Sequence, residues 1–240
     1  MSDLVAQFQL NFIDGDRWQL IVQGLGRTLV IAVFAVVIGV AIGALLAIIR
    51  STYEKNGEDM KKRSKGRYAL LSVLNFFAKI YLTIIRGTPV VVQLMIIYFI
   101  IFAGSNNDTL VAVIAFGINS GAYVAEIIRG GIMSIDEGQF EAGRSLGFNY
   151  AQTMIYIIIP QVFKVILPTL CNEFIVLLKE TSVAGYIGIM DLTKAGDLIR
   201  GRTFSPFMPL IAVALIYLVM VMILTALVGR LERSLRKNER

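Results

Sequence analysis

Apolar residues run along this chain in long blocks broken by short polar stretches, with little of the polar/apolar alternation a half-buried strand would show. Two of the blocks, Leu29–Ile49 and Pro209–Val228, carry no charged residue. About 20 apolar residues at about 1.5 Å rise each cross a hydrocarbon core of about 30 Å. The pattern predicts five membrane segments: about Gln19–Ile49, Tyr68–Phe102, Leu110–Met133, Tyr150–Ile189 and Pro206–Gly229. The second is too long for one upright helix and holds Pro89, which removes a backbone donor and disfavours helix at the residue before it. It is expected to be an interfacial helical stretch, a break near Gly87–Pro89, and then the crossing. The fourth is interrupted by Pro160 and Pro168. Gly39 and Gly43, four apart, offer a small-residue face for close helix packing. The expected fold is an all-α integral membrane bundle with a single transmembrane domain over 19–229. A polar N-terminal segment 1–18 precedes it and a basic tail 230–240 follows.

Composition agrees: 56% of the 240 residues are hydrophobic and 17% charged, against about 25% charged in soluble domains. The net charge of +6 gathers beside the apolar blocks. Residues 50–67 hold seven Lys/Arg against three acids, and 230–240 hold five against two. Such clusters mark cytoplasmic loops and argue against nucleic-acid binding. Four spans separate them, so both fall on one side. The expected topology has the N-terminus, Gly104–Thr109 and Met190–Ser205 outside and the C-terminus in the cytoplasm. The first residues are acidic where a secretory signal is basic, and Trp18 suits an interfacial anchor. Cys171 is the lone cysteine and there is no histidine, so His-based metal sites and Ser-His-Asp triads are excluded. No internal repeat of the kind found in secondary transporters is evident.

The polar stretch 134–149 contains Glu141-Ala142-Gly143-Arg144-Ser145-Leu146-Gly147, followed by Ile157 and Pro160. It reads as a short helix with Glu141 at its N-terminus and Gly147 as its stop. Ala142 and Gly143 would give it a small face for another protein. This run resembles the "EAA" loop of permeases from binding-protein-dependent ABC importers. The Glu, the Ala, the glycine six residues on, and the later Ile and Pro all fall in register. Gly143 departs from the pattern, which usually has a second alanine there. Arg86-Gly87-Thr88-Pro89 with Gln93-Leu94 resembles the signature of polar amino-acid permeases. So do Ser120-Gly121-Ala122-Tyr123 with Glu126, Arg129 and Gly130, and Asn172-Glu173-Phe174 followed by Leu178-Lys179-Glu180-Thr181-Ser182.

The resemblance implies a type I importer-like permease bundle in a bacterial cytoplasmic membrane. It implies that the loop, through Glu141, Ala142, Gly143 and Gly147, seats on a separate ABC ATPase that binds the ATP and Mg. An external amino-acid-binding protein and a second copy or a homologous permease would complete the assembly, with membrane lipid around it. The chain lacks the G-x-x-x-x-G-K-[ST] phosphate loop, in keeping with a nucleotide site elsewhere. No metal is expected. Ionisable residues inside a bilayer usually face protein or a cavity. Asn172, Glu173, Ser120 and Tyr123 are the candidate substrate contacts. Arg86, Pro89, Glu126, Arg129, Lys179 and Glu180 are candidate gate or structural positions, with Glu126 and Arg129 spaced to pair. Glu173 leans toward a cationic amino acid, but an acid there also suits any α-amino group. The alternatives are an ABC permease for methionine, an opine or a small peptide, and a channel or secondary transporter without ATP.

Overall fold

The computed structural model describes residues 2–237. In chain order the α-helices are α1 (Ser2–Phe8), α2 (Trp18–Arg63), α3 (Lys65–Gly87), α4 (Val90–Ile96), α5 (Asp108–Met133), α6 (Glu137–Ser145), α7 (Tyr150–Thr153), α8 (Ile159–Glu180), α9 (Leu192–Thr203) and α10 (Met208–Lys237). π-Helical turns extend α4 over Ile97–Ile101 and join α7 to α8 over Met154–Ile158; a 3₁₀ turn, Thr181–Ile187, follows α8. No strand occurs among the described residues.

Five stretches are long and apolar enough to cross a membrane: Trp18–Arg63, Lys65–Gly87, Asp108–Met133, Tyr150–Ile187 and Met208–Leu235. Their outer faces are greasy. Phe34, Val37, Leu45, Leu215 and Met222 are all more than half exposed, the reverse of a soluble core and what a lipid solvent favours. In the most apolar window of α5 67% of residues are buried, against 11% in α10, so α5 is the most buried of the five stretches and α10 the least.

Two expectations change. The basic stretch 50–67 is not a loop: α2 runs 46 residues to Arg63 and α3 begins at Lys65. At about 1.5 Å per residue α2 is roughly 69 Å long, over twice a hydrocarbon core. Hydropathy ends where the lipid ends, but the helix continues on pairs such as Arg50–Glu54, four residues apart at 3.0 Å. The break in the second segment lies at Thr88–Pro89 as expected. The stretch able to cross is nevertheless α3, before the break; Val90–Ile101 beyond it is too short to cross alone.

The chain divides into two compact units. One holds the chain up to Val36, Val90–Gly117 and Phe174–Arg230; the other holds Val37–Pro89, Ile118–Glu173 and the chain from Leu231. Within the second, Gly39 and Gly43 lie against α5. A Cβ on Gly39 would stand 2.8 Å from Ser120 Oγ, and one on Gly43 2.7 Å from Val124 Cβ. Within the first, the N-terminal segment is tied to the connector after α8. Asn11, fully buried, donates to Ser205 Oγ at 3.1 Å and accepts from Thr203 Oγ1 at 2.7 Å.

Candidate coupling helix and intramembrane polar residues

The short helix α6 is held at both ends and in the middle. It starts four residues before Glu141. Asp136 is the N-cap, its carboxylate accepting from Gly138 N–H at 2.7 Å. Glu141 sits mid-helix, exposed. At the other end Gly147 has φ +82°, a left-handed conformation that favours glycine. Gly147 N–H donates to Arg144 O at 2.9 Å and Phe148 N–H to Gly143 O at 3.0 Å. That reciprocal pair satisfies carbonyls the helix end would leave open.

Between the ends, Phe140 is buried with Ile132, Met154, Ile158, Val162 and Ile166, fixing α6 to α5 and α8. Gly143 also faces inward. A Cβ there would meet Thr153 Oγ1 at 2.6 Å and Cγ2 at 2.7 Å, so the departure from the family's alanine lets α6 lie on α7. It is not part of an open docking face. In the first turn Glu137, Gly138 and Gln139 are exposed, and beyond Phe140 the residues left exposed are Glu141, Ala142, Arg144, Ser145, Leu146 (72%) and Gly147. The cytoplasmic extension of α2 adds a further hold: Lys55 pairs with Glu137 and lies 5.0 Å from the Phe140 ring centroid. Sequence reasoning missed this, because residues 50–67 were read as a loop.

A cluster of charges lies deeper in the same unit. Glu126 pairs with Arg129 at 2.9 Å, Arg50 at 3.5 Å and Arg86 at 3.9 Å. Glu54 closes it, with Arg50 at 3.0 Å and Arg129 at 3.3 Å. The close pair Glu126–Arg129 is thus one edge of a network joining α2, α3 and α5. Arg86 also lies 5.9 Å from the Tyr123 ring centroid. These residues border an open cavity of about 650 Å³, lined by Arg50, Lys79, Arg86, Tyr123 and Glu126 among others.

The four candidate substrate residues do not form one cluster. Ser120, fully buried, donates to Glu173 Oε1 at 3.4 Å. Tyr123, three residues on, turns instead toward Arg86, and Asn172 is exposed. Pro89 lies in the exposed break. In the other unit, Lys179 is exposed and Glu180 half-buried at the end of α8.

That unit also holds a site the sequence did not single out. Asp191 is fully buried, caps α9 by accepting from Lys194 N–H at 2.7 Å, and keeps its other oxygen unpartnered. Burial pushes its carboxyl up to about 6, although hydrogen bonds from Lys194 and Thr193 pull the other way. The sequence signal was available: an aspartate immediately before a helical run is an N-cap pattern.

Five stretches able to cross a membrane, with a short helix firmly seated between two of them, define an integral membrane protein of the multi-span class. Residues 68–237 match the family model of the binding-protein-dependent transport system inner membrane component, and the chain belongs to that family. It is 37% identical over 221 residues to the putative glutamine transport system permease protein GlnP of Rickettsia typhi, covering 91% of this chain and 94% of the relative. It is 37% identical over 223 residues to the arginine transport system permease protein ArtQ of Bacillus subtilis, with the same coverage. A crystal structure of an amino acid ABC transporter with histidines superposes with a TM-score of 0.77 at 42% identity, over 90% of this chain and 94% of that one.

Proposed function

We propose that this chain is the permease subunit of an ATP-driven importer that carries a polar amino acid across a bacterial cytoplasmic membrane. The observation that carries the reading is α6. It is a nine-residue helix capped at both ends, anchored by Phe140, and exposed along Glu141, Ala142 and Leu146. A rigid knob with an open outer face is suited to receive force from a partner. That partner is a separate ABC ATPase holding ATP and Mg. The relatives' glutamine and arginine permease names support an amino acid as cargo.

The topology is N-terminus outside and C-terminus in the cytoplasm. The Asn11 contacts with Thr203 and Ser205 support the N-terminal segment and the connector after α8 sharing a side, as the charge pattern requires. Two permeases, identical or homologous, form the pathway, and an external binding protein delivers substrate. Glu173 with Ser120, Tyr123 and Asn172 contribute to recognising the substrate's amino group or cationic side chain. Arg86, Pro89, Glu126, Arg129, Lys179 and Glu180 hold or gate the path.

The test is ATP hydrolysis by the chain co-purified with its ATPase in lipid, with and without amino-acid-loaded binding protein. Stimulation by one loaded amino acid is expected, and Glu141→Ala with Leu146→Ala should abolish it while insertion stays intact. Flux through the isolated chain, driven by an ion gradient without any ATPase, would sink the proposal in favour of a secondary transporter or channel.

A further inference from the structure

A second cavity opens beside the coupling helix, and its chemistry is different. It measures about 540 Å³ and lies between the lower part of α2, the elbow into α3, and the turn from α7 into α8. Its walls are Ile48, Met60, Met154, Ile155 and Ile159, with Arg63 and Arg67 at its rim. Ile48, Ile155 and Ile159 are 53%, 57% and 44% exposed and belong to membrane-crossing stretches, so the apolar wall continues into the lipid-facing surface.

The rim arginines differ from the cations of the charge network and of the α6 anchor. Arg50, Lys55, Arg86 and Arg129 each have an acid within 4.0 Å. Arg63 and Arg67 are exposed and pair with no acid among the described residues. Asn149 is nearby in the wall, and its side-chain oxygen is already engaged by Gln152 N–H at 3.0 Å, which leaves its amide nitrogen to donate.

We propose that this groove is a binding site for an anionic phospholipid. Two guanidiniums and an amide donor suit a phosphodiester, and the isoleucine wall suits the first part of an acyl chain. A soluble anion has no use for that wall. A zwitterionic lipid has a positive headgroup that two unpaired arginines repel. Basic pockets between membrane helices at the cytoplasmic surface recognise acidic headgroups on the same grounds. The site shares Tyr150 and Asn149 with the segment that leads directly out of α6, so an occupied groove braces the base of the coupling helix.

The experiment is thermal unfolding and native mass spectrometry of the purified full chain in detergent. The probes are phosphatidylglycerol, phosphatidylcholine and glycerol 3-phosphate, applied to wild type and to Arg63→Gln/Arg67→Gln. Phosphatidylglycerol is expected to raise the unfolding temperature and remain bound in the spectrometer, with phosphatidylcholine weaker. The double variant is expected to fold normally and to bind phosphatidylglycerol about tenfold more weakly. As a second variant, Ile155→Asn should weaken both lipids alike while keeping the preference for the acidic one. Equal responses to the two lipids, or an unchanged response in the double variant, would overturn the proposal. Glycerol 3-phosphate matching the lipid would make this a free-phosphate site instead. Loss of ATPase capture by the double variant in lipid-free detergent would assign the surface to the protein partner.

Discussion

Replacing Gly143 with alanine sets helix propensity against packing at a point where the two have opposite signs. Alanine gains about 1 kcal/mol over glycine in a helix interior. The added Cβ would lie 2.6 Å from Thr153 Oγ1, 2.7 Å from Cγ2 and 3.2 Å from Cβ. Thr153 is 2% exposed and stiff at χ1. Both γ atoms already crowd the glycine, so every staggered rotamer leaves at least one heavy atom on that side. Overpacking of this kind costs about 1–3 kcal/mol. The net expectation for Gly143→Ala is therefore a loss of up to about 2 kcal/mol, felt where α6 meets α7. Thr153→Ala removes the obstacle together with a buried hydroxyl that has no hydrogen-bond partner. The double variant should then recover stability to the wild-type level or above.

Thermal unfolding in mild detergent, run as a double-mutant cycle, measures the coupling directly. Capture of the ATPase subunit should follow the same order, lowest in Gly143→Ala and restored in the double variant. A single Gly143→Ala variant about 1 kcal/mol more stable than wild type, with Thr153→Ala strictly additive, would show that α6 does not rest on α7 as described.

At Gly147, alanine should cost about 1–2 kcal/mol from the left-handed φ alone, since a Cβ there meets nothing within 4 Å; asparagine should be tolerated better, and the order of unfolding temperatures checks this. Glu126→Gln leaves Arg50 and Arg129 with Glu54 as their remaining acid and takes from Arg86 the acid it pairs with, and should destabilise by roughly 1–3 kcal/mol in a denaturant titration. Asp191 favours its neutral form in the fold, with its pKa raised from 3.8 to about 6. Its contribution is greatest below pH 3.8 and is lost as pH rises through 6, amounting to at most about 3 kcal/mol. Asp191→Asn keeps the cap on α9 and should flatten that slope, leaving the variant more stable than wild type at pH 7; unchanged profiles would contradict the buried acid.

The membrane spans were legible because apolar blocks of their length have few other uses, and Pro89 announced its break. Gly147 announced the helix stop because a glycine after a polar helical run meets the demand for positive φ. The start of α6 was missed for a local reason: Glu141 drew attention as an acid near a helix start, while Asp136, the true cap, lay in a polar stretch that read as connector. The length of α2 was missed because hydropathy reports where lipid ends and says nothing of where the backbone stops being helical. Glu54, four residues after Arg50, carried the helical signal among charges taken only as topology markers. Asn11 and Asp191 were illegible as buried groups, since a partner of Asn11 lies 194 residues away and Asp191 is covered by α2 at Gly24, where an added Cβ would stand 2.6 Å from the Asp191 carbonyl oxygen. Among the site residues, the spacing of Ser120 and Tyr123 placed both on one helix but did not foretell that Gly39 would bury one while the other stayed at the surface.

The contacts of α6 also determine how a push on it from the proposed ATPase partner would be delivered. Phe140 is embedded between residues of α5 and α8, Lys55 ties the helix start to α2, and α2 is joined to α5 through Arg50–Glu126 and the Gly39 and Gly43 contacts. Close-packed interfaces of this kind deform little and transmit displacement as a body. For α6 to slide alone, it would have to vacate Phe140 from its core, at about 3–5 kcal/mol by the usual cost of losing a buried phenylalanine. The expectation is that α6 and the lower part of α2 move together during the ATP cycle. Spin labels at Ser145 and Glu58, both exposed, with Cys171 replaced by serine, should report one unchanged distance in nucleotide-free and ATP-bound complexes. Lys55→Met should broaden that distance distribution. A shift in the wild-type distance between the two states would mean that the coupling helix moves on its own and that its core contact opens in each cycle.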